Sequence, residues 1–411
     1  MSNSKKIKVA WICHFTNEEI NALVNPNKAV SEMAPWIPMA IRTVEGCECL
    51  DVHVIAPWPN ISSDKQIELR GIHYYFYNPY LFNRPRLLYN KHFSLDLFTN
   101  FRRARRKVCN FVNQIKPDVI HLYGAENPYY SASFFDLKDK YPFILSVQGF
   151  IYKEKLNPNN KFSPKRIEIE RNIIEQSKVS FYETSIQAKD IQNINPSIEL
   201  FYHTYGSYEI PLIEPRPKKK YDLVFFARVC KDKGIVDLMD ALVQVKNTYP
   251  KTSLLVIGGG DLDGFKEYAK EHGIEGNISW AGFQRTREDV FKLASEARIS
   301  ILPTHNDVIP GTVMESMFLE LPVITNNVGS IPIINEDGNE YIIMNKCGNI
   351  QQLVSSIEKL LADEQLREDM AEKAYKRAKE LFAPSNDKLQ RCLITGYTRS
   401  IELFKEKNKQ E

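Results

Sequence analysis

Asp307-Val308-Ile309-Pro310-Gly311-Thr312-Val313-Met314-Glu315 sets two carboxylates eight positions apart, on either side of a Pro-Gly turn. The apolar spacing that follows predicts a helix over 312–319, with Glu315 near its start. Leu321-Pro322-Val323-Ile324 then has the length and composition of a short buried strand, and Gly329-Ser330-Ile331-Pro332 those of a turn. A helix start offers unpaired backbone N–H groups and positive dipole, so it receives anions such as a diphosphate. A carboxylate beside it takes two neighbouring hydroxyls in charge-assisted hydrogen bonds. Diphosphate and ribose together are the handle of a nucleotide-sugar. The same residues also read as a core strand, a loop and a helix with an ordinary surface glutamate, so the rest of the chain decides between the two.

Working outward, apolar runs of strand length alternate with helical patterns, which predicts an α/β protein with parallel sheets. In the first half, strands are expected at 8–13, 51–56, 119–122, 143–147 and 179–182, with helices over 32–43, 98–115 and 164–176. Glu214-Pro215-Arg216-Pro217-Lys218-Lys219-Lys220 reads as a linker. The pattern then restarts, with strands at 223–226, 253–257, 278–280, 299–302 and 322–324 and helices such as 235–246 and 287–295. The chain ends in helices over 350–361 and 366–381 and a last one starting near Ser385. Two doubly wound halves place a ligand where the carboxyl ends of their strands face a cleft.

Three further motifs lie at strand ends in the second half. Phe226-Ala227-Arg228-Val229-Cys230-Lys231-Asp232-Lys233-Gly234 joins a strand to a helix and carries fixed cations. When a sugar–phosphate bond breaks, charge builds on the leaving diphosphate, and such cations stabilise that transition state more than the ground state. Ile257-Gly258-Gly259-Gly260-Asp261 does not meet the dinucleotide pattern G-x-G-x-x-G, but its bare backbone admits a close ligand. Trp280-Ala281-Gly282-Phe283 is either a ligand border or a core Trp with a tight turn.

Together these elements resemble the signature of the retaining GT-B glycosyltransferases called group 1 or GT4-like. The family's usual Glu, seven residues, Glu is matched at Glu315, while Asp307 replaces the first Glu. Its G-R-x-x-x-x-K-G element is matched with Ala227 in place of the first Gly. The resemblance is specific from Phe226 to Tyr341 and topological elsewhere. It implies two Rossmann-like domains facing across a cleft: residues 1–213 bind the acceptor and 214–381 the nucleotide-sugar, with 382–411 a helix packing back on the first domain. The resemblance also implies a role for each matched residue. Arg228 and Lys233 stabilise the leaving diphosphate. Glu315 holds the ribose, and Asp307 with the Gly311 and Thr312 backbone positions sugar and phosphate. Gly258, Gly259, Phe283 and His305 border the donor. His14 and Gln148 lie on the acceptor and sugar side. Gln148 and Tyr123 stand where the family often has His. In front-face retaining transfer the departing phosphate takes the acceptor proton, so a non-titrating Gln148 is compatible with turnover.

That reading implies a UDP- or GDP-linked sugar as co-substrate, a glycan or lipid-linked hydroxyl acceptor, and no metal or other cofactor. The setting, by analogy, is synthesis of bacterial surface polysaccharide or glycolipid. Two alternatives stand beside it: a nucleotide-sugar epimerase of the same fold, and a degenerate domain that binds sugar or a partner without turnover.

Composition is compatible with all three. Of 411 residues, 43% are hydrophobic and 26% charged, the balance of a soluble globular protein, and no run approaches the length of a membrane span. The apolar run Val9–Cys13 is too short for a signal-peptide core, so a cytoplasmic location is expected. Seven scattered cysteines without a C-x-x-C pair read as free thiols. Net charge is +3, and its excess gathers in Arg102-Arg103-Ala104-Arg105-Arg106-Lys107 at the start of an amphipathic segment. That run suits an anionic membrane surface or a solvated helix face. It is too local, and too far from any nucleic-acid motif, to indicate DNA or RNA binding.

Overall fold

The computed structural model describes residues 6–27, 33, 34, 36–58, 61–80, 95–151, 164–204, 210, 213, 217–307 and 311–410. Val308-Ile309-Pro310, Glu214-Pro215-Arg216, Glu32 and Pro35 therefore lie outside the described residues. The chain forms two compact units, Met1–Ser207 with Ser385–Glu411, and Tyr208–Pro384.

The first unit is built on an eight-stranded sheet: β1 (Ile7–Ile12), β2 (Leu50–Pro57), β3 (Lys65–Leu69), β4 (Ile72–Tyr77), β5 (Val119–Tyr123), β6 (Phe143–Ser146), β7 (Val179–Tyr182) and β8 (Glu199–Tyr202). Their order is β3-β4-β2-β1-β5-β6-β7-β8. The central strands are nearly continuous apolar runs because helices cover both faces; Val9 to Ile12 and Val119 to Leu122 are fully buried. The expectation of parallel strands alone is corrected at one edge, where β3 runs antiparallel to β4. Arg70 and Gly71, both at positive φ (52° and 76°), make the two-residue turn that joins them. The helix expected over 98–115 is two helices, Leu95–Phe98 and Arg102–Ile115. Asn100 and Phe101 stand at φ 49° and 55° between them and end the first.

The last helix, Asn386–Gln410, belongs to this first unit. It is held by polar contacts as well as by packing. Trp11 Nε1 donates to Tyr397 Oη at 2.9 Å, and that hydroxyl is 2.9 Å from His121 Nδ1. His121 Nε2 is in turn 2.8 Å from Ser146 Oγ. Ser400 Oγ donates to the Phe143 carbonyl, and Arg399 pairs with Glu199 through two 2.7 Å hydrogen bonds. Gly396 lets the helix approach the sheet: a Cβ there would meet Phe181 Cζ at 2.5 Å.

The second unit holds six parallel strands: β9 (Tyr221–Phe226), β10 (Leu254–Ile257), β11 (Ile278–Gly282), β12 (Ala297–Leu302), β13 (Val323–Asn326) and β14 (Ile343–Asn345). Their order is β11-β10-β9-β12-β13-β14. The chain winds outward from β9 in one direction, then returns to β12 and winds in the other. The reversal leaves a crevice at the carboxyl ends of β9 and β12, where open α/β sheets bind ligands. In the first sheet the same reversal falls between β1 and β5.

Candidate active site

The loops that leave β9 and β12 are joined backbone to backbone. Gly234 (φ 79°) ends the β9 loop, and a Cβ on it would lie 1.9 Å from the Pro303 carbonyl oxygen. His305 N donates to the Asp232 carbonyl at 2.9 Å. From the end of β13, Asn326 Nδ2 holds the carbonyls of Pro303 and Thr304 at 2.9 and 3.2 Å. This frame brings together two residues 74 positions apart: Lys233 Nζ is 2.6 Å from both oxygens of Asp307. Thr304 Oγ1 donates to Asp307 Oδ2 at 2.6 Å and fixes the carboxylate from behind. His305 Nε2 lies 2.8 Å from Asp237 Oδ2, in the first turn of the helix Ile235–Thr248.

The helix expected at 312–319 spans Gly311–Phe318. Val313, Ser316 and Met317 face inward, and Ser316 Oγ is 2.6 Å from Ser300 Oγ on β12. Thr312 Oγ1 donates to the Phe226 carbonyl at 2.6 Å, which ties the helix start to the end of β9. Glu315 lies one turn along and pairs with Arg287, the first residue of the helix Arg287–Ala294. Arg228 is exposed, with no hydrogen bond or ion pair among the described residues.

The glycine turn after β10 completes the rim. Gly258 (φ 147°) and Gly260 (φ 155°) lie against the Ala227 and Val229 carbonyl oxygens, where a Cβ would come within 1.9 and 2.1 Å. Val229 N donates to the Gly259 carbonyl at 2.9 Å, so the turn clamps the loop that carries Arg228. Phe283 is 77% exposed, and its Cβ would be 3.6 Å from a Cβ on Gly259. Arg228, Lys233, Gly258, Gly259, Phe283, His305, Asp307, Gly311, Thr312 and Glu315 thus all stand on the loops and helix starts around one sheet end. The cation set can neutralise an anion, and Glu315 can accept hydroxyls once it is released from Arg287.

His14 and Gln148 belong to the first unit. His14 follows β1 at the first sheet's reversal, where Nδ1 is 3.2 Å from Asn127 Nδ2. An amide nitrogen only donates, so Nδ1 accepts and the neutral ring carries its proton on Nε2. Burial pushes the His14 pKa down to about 4, which keeps the ring neutral at pH 7. Gln148 follows β6, and its buried Nε2 has no hydrogen-bond partner among the described residues. Between them in sequence, Glu126 accepts from Tyr130 Oη at 2.8 Å with one oxygen, and burial raises its carboxyl pKa.

Sequence reading did not find Arg287, Thr304, Asp237 or Glu126. Thr304, three residues before Asp307, had a local signal; Arg287 reaches Glu315 across 28 positions and had none. The basic run opens the helix Arg102–Ile115, but Arg105 is bound to Asp136 at 2.6 and 2.7 Å and Lys107 to Asp64 at 2.6 Å. Arg102, Arg103 and Arg106 remain exposed. No helix among the described residues is long and apolar enough to cross a membrane.

Residues 209–377 match the family model described as glycosyl transferases group 1. The poly(glycerol-phosphate) alpha-glucosyltransferase of Bacillus subtilis is 24% identical over 212 residues, which are 50% of this chain and 31% of that protein. The chain spans less than half the length of the first curated relatives it matches. In structure it is similar to sucrose-phosphate synthase from Thermosynechococcus elongatus, with a TM-score of 0.67, 14% identity and coverage of 99% and 100% of the two chains. It is also similar to Anabaena HepE in complex with UDP, with a TM-score of 0.64, 14% identity and coverage of 95% and 100%.

Proposed function

We propose, from the match of residues 209–377 to the glycosyl transferases group 1 model and from the GT-B fold, that the protein transfers a sugar from a UDP- or GDP-linked donor to a hydroxyl with retention at the anomeric carbon. The observation that carries this reading is the Lys233–Asp307 pair on the loops that leave β9 and β12, beside the start of the helix Gly311–Phe318, which Thr312 ties to the end of β9. Lys233 and Arg228 stabilise the diphosphate as it leaves. The ammonium of Lys233 has three donors; Asp307 takes up to two and leaves one for a phosphate oxygen. Asp307 keeps that ammonium aimed and faces the donor sugar, its reach shortened by one methylene relative to Glu. Glu315 exchanges Arg287 for the ribose hydroxyls. Phe283 and the Gly258–Gly259 backbone border the base, and His305 the sugar or phosphate. With two cations on the diphosphate, a divalent metal is not required for leaving-group departure. The HepE complex with UDP supports a uridine nucleotide, and the Bacillus subtilis relative's name supports a polymer-linked hydroxyl acceptor in surface-polysaccharide or glycolipid synthesis. His14 and Gln148 serve the acceptor side, and Gln148 Nε2 offers a donor to a sugar hydroxyl.

The test is calorimetric titration of the wild type and Lys233→Ala with UDP, GDP, ADP and CMP in metal-free buffer. One diphosphate should bind at micromolar level and weaken about tenfold or more in the variant, the worth of a hydrogen bond to a charged group at roughly 1.5–3 kcal/mol. Absence of binding to all four would leave the non-catalytic reading in its place. Peripheral membrane contact at the cytoplasmic face is proposed through Arg102, Arg103 and Arg106. Reversing those three charges should abolish co-sedimentation with phosphatidylserine vesicles, and a wild type that never co-sediments removes the idea.

A further inference from the structure

β2 and β4 run parallel with His53 directly opposite His73. Asp51 precedes His53 by two positions, so both leave β2 on one face, and His73 joins them across the ladder. The three side chains converge. Asp51 Oδ1 lies 3.1 Å from His53 Nε2 and 3.9 Å from His73 Nε2, and one ligand atom from each residue lies within 4.8 Å of the other two. The far edge of each ring faces an outer oxygen: His53 Nδ1 is 3.2 Å from Tyr75 Oη, and His73 Nδ1 is 3.6 Å from Glu68 Oε2. The rings lie nearly parallel, their centroids 4.7 Å apart. Both Nε2 atoms therefore face one carboxylate oxygen while both Nδ1 atoms face an outer hydroxyl or carboxylate. Metal-bound histidines show the same division, with one nitrogen on the ion and the other oriented by an outer oxygen.

From this convergence the geometry points to a divalent-cation site formed by Asp51, His53 and His73, with the ligand chemistry of zinc. Two imidazoles and a carboxylate supply three of zinc's four positions, at about 2.0–2.2 Å each. The Asp51–His53 separation already fits two ligands of one ion, and His73 closes by rotating its side chain. The Asp51 and His73 side chains are 30% and 37% exposed, so water can fill the fourth position. Lys8, opposite Asp51 in register on β1, is a neighbouring cation that opposes the ion and limits its affinity. Asp51 and His53 occupy the first half of β2, and His73 is the second residue of β4. This is the amino-terminal end of the sheet, whereas the candidate donor residues stand at carboxyl ends of strands in the other unit. The ion is therefore a staple between two strands of the first unit, independent of sugar transfer.

Sequence reading took the cysteines, Cys47 and Cys49 among them, as free thiols and passed over the Asp51-x-His53 step, whose partner is 20 residues further on. The cysteines also set the control. The full chain, stripped with chelator, is titrated with cobalt(II) and followed by visible absorption, and its melting temperature is read with and without zinc. The expected result is a cobalt d–d spectrum without a thiolate charge-transfer band, and a zinc-dependent rise in melting temperature. Both should weaken at least about tenfold in metal concentration in His73→Ala and Asp51→Asn, whose melting in chelator matches the wild type. A thiolate band, a zinc response unchanged in both variants, or no response in the wild type would each overturn the site.

Discussion

Asp307 grips Lys233 with both oxygens at 2.6 Å, and its negative charge offsets the pull of the ammonium on a phosphate at the remaining donor. The pair is only partly buried, at 22% and 16% side-chain exposure, so its worth is that of a screened ion pair, about 1 kcal/mol. Asp307→Asn removes that negative charge and leaves Lys233 in place. Binding of the free nucleoside diphosphate should then tighten about fivefold, the equivalent of ~1 kcal/mol. Donor hydrolysis should fall at the same time, because the group proposed to face the sugar is lost. Calorimetry beside a hydrolysis assay checks both, and a weaker diphosphate affinity in the folded variant would rule out that offset. Residues of this kind were legible where chemistry and chain spacing coincide. Arg228, Lys233 and Glu315 each fall within a strand–loop–helix step whose local pattern is visible. Arg287 was not legible, because an ion pair across 28 positions depends on where two separate helices start.

At the scale of elements, glycine decides how the loops can close. Gly258 follows β10 at φ 147°, and the Ala227 carbonyl oxygen fills the place its Cβ would take, 1.9 Å away. Neither the angle nor the contact tolerates a side chain. Gly258→Ala must therefore push the β9 loop aside or unfold the turn. The expected cost is at least about 3 kcal/mol in urea unfolding, with nucleoside diphosphate affinity reduced because Arg228 rides on the displaced loop. A variant as stable as the wild type would mean that this backbone is free to shift. The glycines and the strand ahead of them were readable from the sequence, as were most central strands, because burial on both faces leaves apolar runs. The β3–β4 hairpin was missed for the converse reason. β3 is an edge with exposed Lys65, Gln66 and Glu68, so it lacks such a run, and its turn signal is Arg70-Gly71 rather than Asn-Gly. The break in the helix expected over 98–115 was hidden because Phe101, a residue that seldom adopts positive φ, takes it here.

Over the whole molecule, the first unit is discontinuous in sequence: it is complete only when residues 385–411 return to it. Tyr397 is the point of closure. Its fully buried hydroxyl accepts from Trp11 and shares a hydrogen bond with His121 Nδ1, and so joins the last helix to β1 and β5. Tyr397→Phe keeps the ring and deletes the oxygen, which leaves one buried indole N–H and one buried imidazole nitrogen without that partner. Each such loss costs about 1–3 kcal/mol, so the variant should be destabilised by roughly 2–6 kcal/mol. The loss should fall on the first unit, because Trp11, His121 and Tyr397 all lie there. Trp11, Trp36 and Trp58 belong to that unit and Trp280 to the other, so tryptophan fluorescence in urea reports mainly the damaged part. Binding of nucleoside diphosphate, assigned to the second unit, should be unchanged in native buffer. An unaltered urea midpoint would show that the hydroxyl contributes nothing net to closure. A folded variant that no longer binds nucleotide would show that the two units are energetically coupled through the returning helix.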